Sequence, residues 1–216
     1  MKTMGLRRLL LVSPKTYPHA DATARASGAD DVLADARVCD SLAEAIAGCH
    51  YVFGLSARQR SIPWPRMSPR ECATFSQQQT DAEIALVFGR EHSGLSNEEL
   101  EACHYHVAID ADPAYPSLNL AAAVQILCYE LRMAGLNGEA VAPASLPATV
   151  DDVERFIQHL EQVMVESCFL DPARPGHIVR RMRRLYAKAQ PDTQDINILR
   201  GILTAVQKRH AIDNNS

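Results

Sequence analysis

Tyr115-Pro116-Ser117-Leu118-Asn119-Leu120, with the apolar helical run Ala121 to Ala134 behind it, is the stretch that decides how this chain folds. It turns a strand into a helix: Pro116 is rigid, and the small polar Ser117 and Asn119 suit the uncapped N–H groups of a helix start. Such a start is a natural ligand site. A second stretch belongs with it, the glycine loop Phe88-Gly89-Arg90-Glu91-His92-Ser93-Gly94-Leu95, which follows the strand-like run Ile84-Ala85-Leu86-Val87-Phe88. Its two glycines permit positive φ and close backbone approach where a strand leaves a sheet. Two strand-loop-helix units are therefore expected to meet one ligand together.

Working outward, Leu9 to Ser13 reads as a buried parallel strand, preceded by Met1 to Gly5, which looks like a helix end closed by a C-cap glycine. Pro18 to Ala26 is helix-compatible, Val32-Leu33 is a short strand candidate, and Tyr51 to Leu55 is the next strand. Three capping-box spacings, at Ser41 to Glu44, Ser68 to Glu71 and Ser96 to Glu99, announce helices, the second with Pro69 at the first helical position and an end near Asp81. His106 to Ile109 completes the strand set. Strands alternating with helices indicate an α/β fold with a parallel sheet and helices on both faces. From Asn137 to Ala148 the composition shifts to Gly, Pro, Ala and Ser, a linker, and three helical segments follow at Val150 to Ser167, Pro175 to Ala189 and Thr193 to His210. The expected division is therefore residues 1–136, a linker at 137–148, and an all-α extension at 149–216.

The chain has 216 residues, 47% of them hydrophobic, which is enough for one good core and an appendage. Its six cysteines show no C-x-x-C spacing, and no signal-like segment opens it, so a reducing, cytoplasmic setting is expected. Its apolar stretches fall short of the roughly 20 residues a membrane helix needs. The net charge of −4 hides a split. Between Arg174 and His210 stand nine Arg and Lys residues, among them Arg180, Arg181, Arg183, Arg184 and Lys188, opposed there only by Asp192 and Asp195. Such a tail can hold phosphates, and the scarcity of acidic residues around it favours RNA over a merely solvated face.

Several chemistries are poorly supported. Gly89 to Gly94 has P-loop spacing, but Leu95 and Ser96 stand where Lys and Ser/Thr should be. No G-x-G-x-x-G follows the first strand, and no Gly-x-Ser-x-Gly elbow exists. Cys103, His104 and His106 run into a strand whose side chains alternate between faces, with no second cluster to complete a metal site. Glu91 is expected to pair with a nearby arginine, Arg90 or Arg58, and so hold the loop rather than catalyse.

In combination these residues resemble a known family. Leu86 to Glu91, Gly94-Leu95, Asn97 to Leu100 and Tyr115 to Leu120 are similar to the second and third motifs of SPOUT methyltransferases, specifically the TrmJ-type tRNA 2′-O-ribose methyltransferases. Trp64-Pro65, Pro69 to Cys72 and Cys103 to Ile109 extend the likeness to about residues 1–135. The resemblance implies a sheet ending in a trefoil knot, S-adenosylmethionine bound in the knot, a homodimer, no metal, and ribose methylation of C or U at nucleotide 32 of tRNA. Carried over residue by residue, it assigns cofactor binding to Leu55, Ser56, Ala57, Gly89, Ile109, Ser117, Leu118 and Asn119. Catalysis falls to Ser117, and tRNA contact to the basic extension.

Two departures accompany it. Leu55 stands where the family often has Thr, which a backbone contact survives and a hydroxyl contact does not. The family also carries a strand and an Asn-Ile-Gly…Arg motif just before the segment matched by Met1 to Gly5, and that arginine is thought to activate the ribose hydroxyl. The favoured expectation is a start taken at an internal Met; the alternative is a non-catalytic RNA-binding protein that has lost the motif. An uncovered sheet edge argues for the first.

Overall fold

A computed structural model of the chain describes residues 1–56, 64–79, 81–112, 114, 118–137, 146–173 and 176–213. A 3₁₀ turn, Lys2–Met4, is closed by Gly5 at φ 84°, as expected of a C-cap glycine. There follow β1 (Leu10–Val12), α1 (Ala20–Arg25), α2 (Asp30–Ala34), β2 (Arg37–Cys39), α3 (Leu42–Ile46), β3 (Tyr51–Leu55), β4 (Arg66–Met67) and α4 (Pro69–Gln78). Then come β5 (Ile84–Val87), α5 (Asn97–Glu101), β6 (Tyr105–Val107), α6 (Leu120–Asn137), α7 (Val150–Glu166), α8 (Ile178–Ala189) and α9 (Thr193–Asp213). β1 pairs with β2, and β4-β6-β3-β5 form a four-stranded sheet in that order, every pairing parallel. The expected mixed α/β architecture is present.

Alternation along β3 explains the layering. Tyr51 and Phe53 point to one face and pack with Cys72 and Phe75 of α4 and Leu127 of α6. Val52 points to the other and packs with Ile46 of α3 and Cys103 beyond α5. Phe53 and Val52 are fully buried, each contributing roughly 1.5–3 kcal/mol of apolar burial. Gly54 lies on the second face, where an added Cβ would come within 2.7 Å of the Cys103 sulfur. Aromatic rings fill the first face: Phe53 stacks on Tyr105 at 5.3 Å, and Phe75 meets Tyr51 edge-on at 4.9 Å.

The sequence misplaces one strand. Val32-Leu33 is helical, inside α2, because Asp30 and Asp31 favour a helix start and the Asp31 carboxylate accepts the Val32 N–H at 3.0 Å. The partner of β1 is Arg37–Cys39 instead. β1 is also less buried than a central strand, with Val12 39% exposed. The two-residue β4 carries too little pattern to be foreseen.

The last three helices build a core of their own. Phe156 and Ile157 of α7 and Ile196 of α9 are buried together, with Val179, Met182 and Tyr186 of α8 against them. This cluster is tied to the sheet by backbone and side chain alike. Val150 N–H donates to Cys49 C=O at 2.9 Å, and the Gln190 amide donates to the Tyr105 hydroxyl at 2.6 Å. Among the described residues, no helix is long and apolar enough to cross a membrane.

Candidate active site

Three adjacent parallel strands end at one edge of the sheet. Leu55, the last residue of β3, pairs with Val107 of β6, while Gly54 pairs with Val87 of β5. Two residues beyond those ends lie Gly89 and Ile109. The carboxyl edge of an open parallel sheet is where ligands bind in α/β proteins, because strand-to-helix loops leave backbone groups free there. Ser56 N–H donates to Val107 C=O at 3.0 Å, joining the first loop to the third strand.

The glycine loop is closed on itself. Arg90 and Gly94 exchange backbone hydrogen bonds at 3.2 and 2.9 Å, and Gly94 has φ +66°. A Cβ at Gly89 would lie 2.0 Å from the Gly94 carbonyl carbon and 2.2 Å from the Leu95 nitrogen, so only glycine fits. The Arg90 guanidinium grips Glu99 with two bonds of 3.0 and 2.9 Å, and that contact holds the Glu99 carboxyl below its ordinary range. Glu99 also completes the capping box of α5 with Ser96. Arg90, expected as a partner of Glu91, is thus taken by Glu99; Arg58 lies outside the described residues.

Glu91 has a different role. Its Oε2 accepts the Leu120 N–H at 2.9 Å, while the Asn119 side chain accepts the Ala122 N–H at 2.7 Å. A carboxylate from the glycine loop and an amide oxygen from the preceding turn therefore satisfy the start of α6. This joins the two stretches that the sequence sets together. Only the Asn119 half was legible, since a cap 29 residues distant has no spacing signature. Of the expected cofactor residues, Leu55, Ser56, Gly89 and Ile109 sit on the sheet edge, and Leu118 and Asn119 adjoin it through Glu91. Ala57 and Ser117 lie outside the described residues.

Nearby groups that could have suggested other chemistry are structural. Burial pushes the Cys72 and Cys103 thiols up to about 12, so neither is a thiolate at neutral pH. Burial lowers His104 to about 4, and its Nδ1 accepts the Val52 N–H at 3.0 Å, a neutral ring pinning β3. Among the described residues no three His, Cys, Asp or Glu side chains gather as a metal site.

The arginines of α8 divide in a way the sequence does not foresee. Arg180 makes a bidentate pair with Glu101 of α5, and Arg183 one with Glu154 of α7 at 3.0 and 2.7 Å. The acidic partners missing from the neighbouring sequence are supplied across the fold, 79 and 29 residues away. Arg184 is half-buried, its Nε without a partner among the described residues. Arg181 and Lys188 are exposed and make no ion pair among the described residues.

Comparisons with known proteins bear on the family and the fold. The model of the SpoU rRNA methylase family matches residues 1–129, and that of the tRNA methyltransferase TrmJ C-terminal domain matches residues 151–215. The chain is 52% identical over 215 residues to the tRNA (cytidine/uridine-2'-O-)-methyltransferase TrmJ of Pectobacterium atrosepticum, covering 97% of this chain and 89% of that one. It is 50% identical to the tRNA (cytidine/uridine/adenosine-2'-O-)-methyltransferase TrmJ of Pseudomonas aeruginosa, covering 96% and 86%. The crystal structure of TrmJ from Z. mobilis ZM4 superposes with a TM-score of 0.85 at 32% identity, covering 96% of this chain and 90% of that one.

Proposed function

The chain belongs to the SpoU methylase family in its TrmJ branch, and from that premise we propose that it methylates a ribose 2′-hydroxyl of tRNA with S-adenosylmethionine as donor. The observation that carries the reading is the shared edge where β3, β5 and β6 end beside the start of α6. Leu55, Ile109 and Leu118 offer apolar surface for an adenine, and the turning backbone at Ser56 and Gly89 offers polar groups to its edges. These residues fit the donor. The donor supplies an electrophilic methyl group on a sulfonium.

The chain's own part is to orient the two reactants and manage one proton. The ribose oxygen is a poor nucleophile until its proton leaves, and Ser117, two residues before Asn119 at the head of α6, is assigned to that neighbourhood. The fold reading includes a trefoil knot and a cytoplasmic homodimer. The target is C or U at nucleotide 32. Residues 1–136 hold donor and ribose, 137–148 link, and 149–216 hold tRNA, with Arg181 and Lys188 as the phosphate contacts best placed to do so.

The test is transfer of labelled methyl from S-adenosylmethionine to unmodified tRNA, with the modified nucleotide located by mass spectrometry. A 2′-O-methyl at nucleotide 32 is expected; no transfer by protein that binds both donor and tRNA would overturn the proposal. Ser117→Ala should bind the donor almost normally and turn over about 100-fold more slowly. Turnover at the wild-type rate would remove Ser117 from the mechanism.

A further inference from the structure

Helix α8 is tied at both ends to the strands and loops of the sheet. Near its start Arg180 makes its bidentate pair with Glu101 of α5. At its end the Gln190 amide donates to the Tyr105 hydroxyl of β6 at 2.6 Å. Ten residues separate the two ties, about 15 Å of helix, and the exposed Arg181 and Lys188 both fall between them. The inward side of α8, carrying Val179, Met182 and Tyr186, rests on α7 and α9. Gln190 closes the helix in the left-handed region, at φ 47° and ψ 54°, where glycine is the usual residue because a Cβ is strained there. Glycine would cap α8 with less strain but has no amide to reach Tyr105. A strained residue at such a place points to a use for its side chain. The ring that it holds is itself fixed, since Tyr105 stacks on Phe53 of β3 at 5.3 Å.

Arg180 leads to the glycine loop through one short helix. α5 has five residues, and Glu99 and Glu101 stand about 200° apart around it. One carboxylate therefore faces the loop, where it grips Arg90, and the other faces α8. Leu100 between them is 1% exposed, and its carbonyl oxygen lies 3.1 Å from His106 Nε2, so α5 is fixed between its two grips. The side chains of Arg180 and Glu101 are 38% and 20% exposed, so the pair adds little stability; its two parallel bonds set an orientation instead. We propose that Arg180 and Gln190 are positioning residues, which clamp α8 so that phosphates on Arg181 and Lys188 lie at a fixed distance from the edge formed by Leu55, Gly89 and Ile109. The purpose of the clamp rests on the proposed methyl transfer to tRNA, whereas its effect on the glycine loop does not. Transfer needs the ribose oxygen in line with the methyl group, and a displacement of about 1 Å costs up to about 100-fold in rate.

Two measurements on the full chain test the clamp. The first is amide hydrogen exchange without donor or tRNA, under conditions where every variant is folded. Arg180→Met should speed exchange of the Arg90 and Gly94 N–H groups, which close the loop, by about five-fold or more. Arg183→Met frees α8 from α7 rather than from α5, and should leave the loop as in wild type. Equal exchange in wild type and Arg180→Met, or the same acceleration in Arg183→Met, would overturn the inference. The second is single-turnover methyl transfer at saturating S-adenosylmethionine and tRNA. Gln190→Gly gives α8 its usual cap and removes the tie, while Tyr105→Phe removes the same bond and keeps the ring on Phe53. Each should slow transfer about ten-fold with tRNA affinity unchanged, and the double variant should be no slower than either single one. A wild-type rate in Gln190→Gly, or losses that multiply in the double variant, would overturn the positioning role. Loop exchange that responds to Arg180→Met in a wild-type protein that transfers no methyl group would support the clamp and strike the proposed function alone.

Discussion

The glycine loop and helix α8 each hold an arginine against a glutamate, over very different lengths of chain. Arg90 reaches Glu99 nine residues on, within one strand-loop-helix unit, whereas Arg180 reaches Glu101 across 79 residues and Arg183 reaches Glu154 across 29. The first pair shapes a loop; the other two fasten elements to each other. A local pair is repeated by any copy of the motif, but a distant pair exists only once the whole fold has formed. The loop is therefore set by steric fit, and the arginine-rich face by docking. Substitutions in the two regions should fail differently.

The largest effect is expected at the loop. Gly89→Ala forces a carbon into a space 2.0 Å from the Gly94 backbone, so the loop must open rather than adjust. A loss of more than about 3 kcal/mol is expected, together with loss of donor binding. Chemical unfolding and calorimetry would read both. Native stability and affinity in the Gly89→Ala protein would mean that the loop is not held by contact.

Next comes a buried imidazole, His104, just before the amino end of β6. His104 sits at about 4 in the fold against about 6.5 when free, so between those values the unfolded chain binds a proton that the folded chain refuses. Its share of stability is full above pH 6.5 and is lost as pH falls toward 4, amounting to about 2–3 kcal/mol by pH 4.5. His104→Asn keeps an acceptor for the Val52 N–H without a titrating ring, and should lack this part of the acid slope. Identical slopes in urea unfolding at pH 7.5 and 4.5 would rule it out.

These two sites also show what the sequence makes legible. Gly89, the end of β3 and the capping boxes at Ser68 and Ser96 are local features, and each stands where its spacing puts it. The box at Ser41 is half formed: Ser41 accepts the Glu44 N–H, but the Glu44 carboxylate turns to the Asp40 N–H and Arg37. The helical identity of Val32 depended on its acidic neighbours outweighing β-branching. Glu91 capping α6, and the glutamates that engage α8, are long-range contacts that no spacing encodes. The same helix reads from sequence as an unopposed cationic surface, and in three dimensions only part of it is.

Arg183 sharpens the difference at moderate size. Arg183→Met removes two charge-assisted hydrogen bonds to Glu154, both partners being about one-third exposed. Solvent screening reduces their worth to about 1 kcal/mol of stability. A thermal midpoint unchanged from wild type would mean that α7 and α8 are held by their apolar core alone.

The smallest effect on stability and the clearest on RNA belongs to Arg181, two residues away. It is exposed and fastens nothing among the described residues, so Arg181→Ala should leave stability within about 0.5 kcal/mol. If it neutralises one phosphate, tRNA affinity should fall and the slope of log affinity against log salt should lessen by about 1. Arg183→Met should do the reverse, lowering the unfolding midpoint while leaving the salt slope alone, because a guanidinium already engaged by a carboxylate releases no counterions from RNA. Equal salt slopes for wild type and Arg181→Ala would remove Arg181 from the tRNA surface. A flattened slope in Arg183→Met would mean that RNA draws that arginine away from Glu154, and that the division between fastening and binding residues dissolves in the complex.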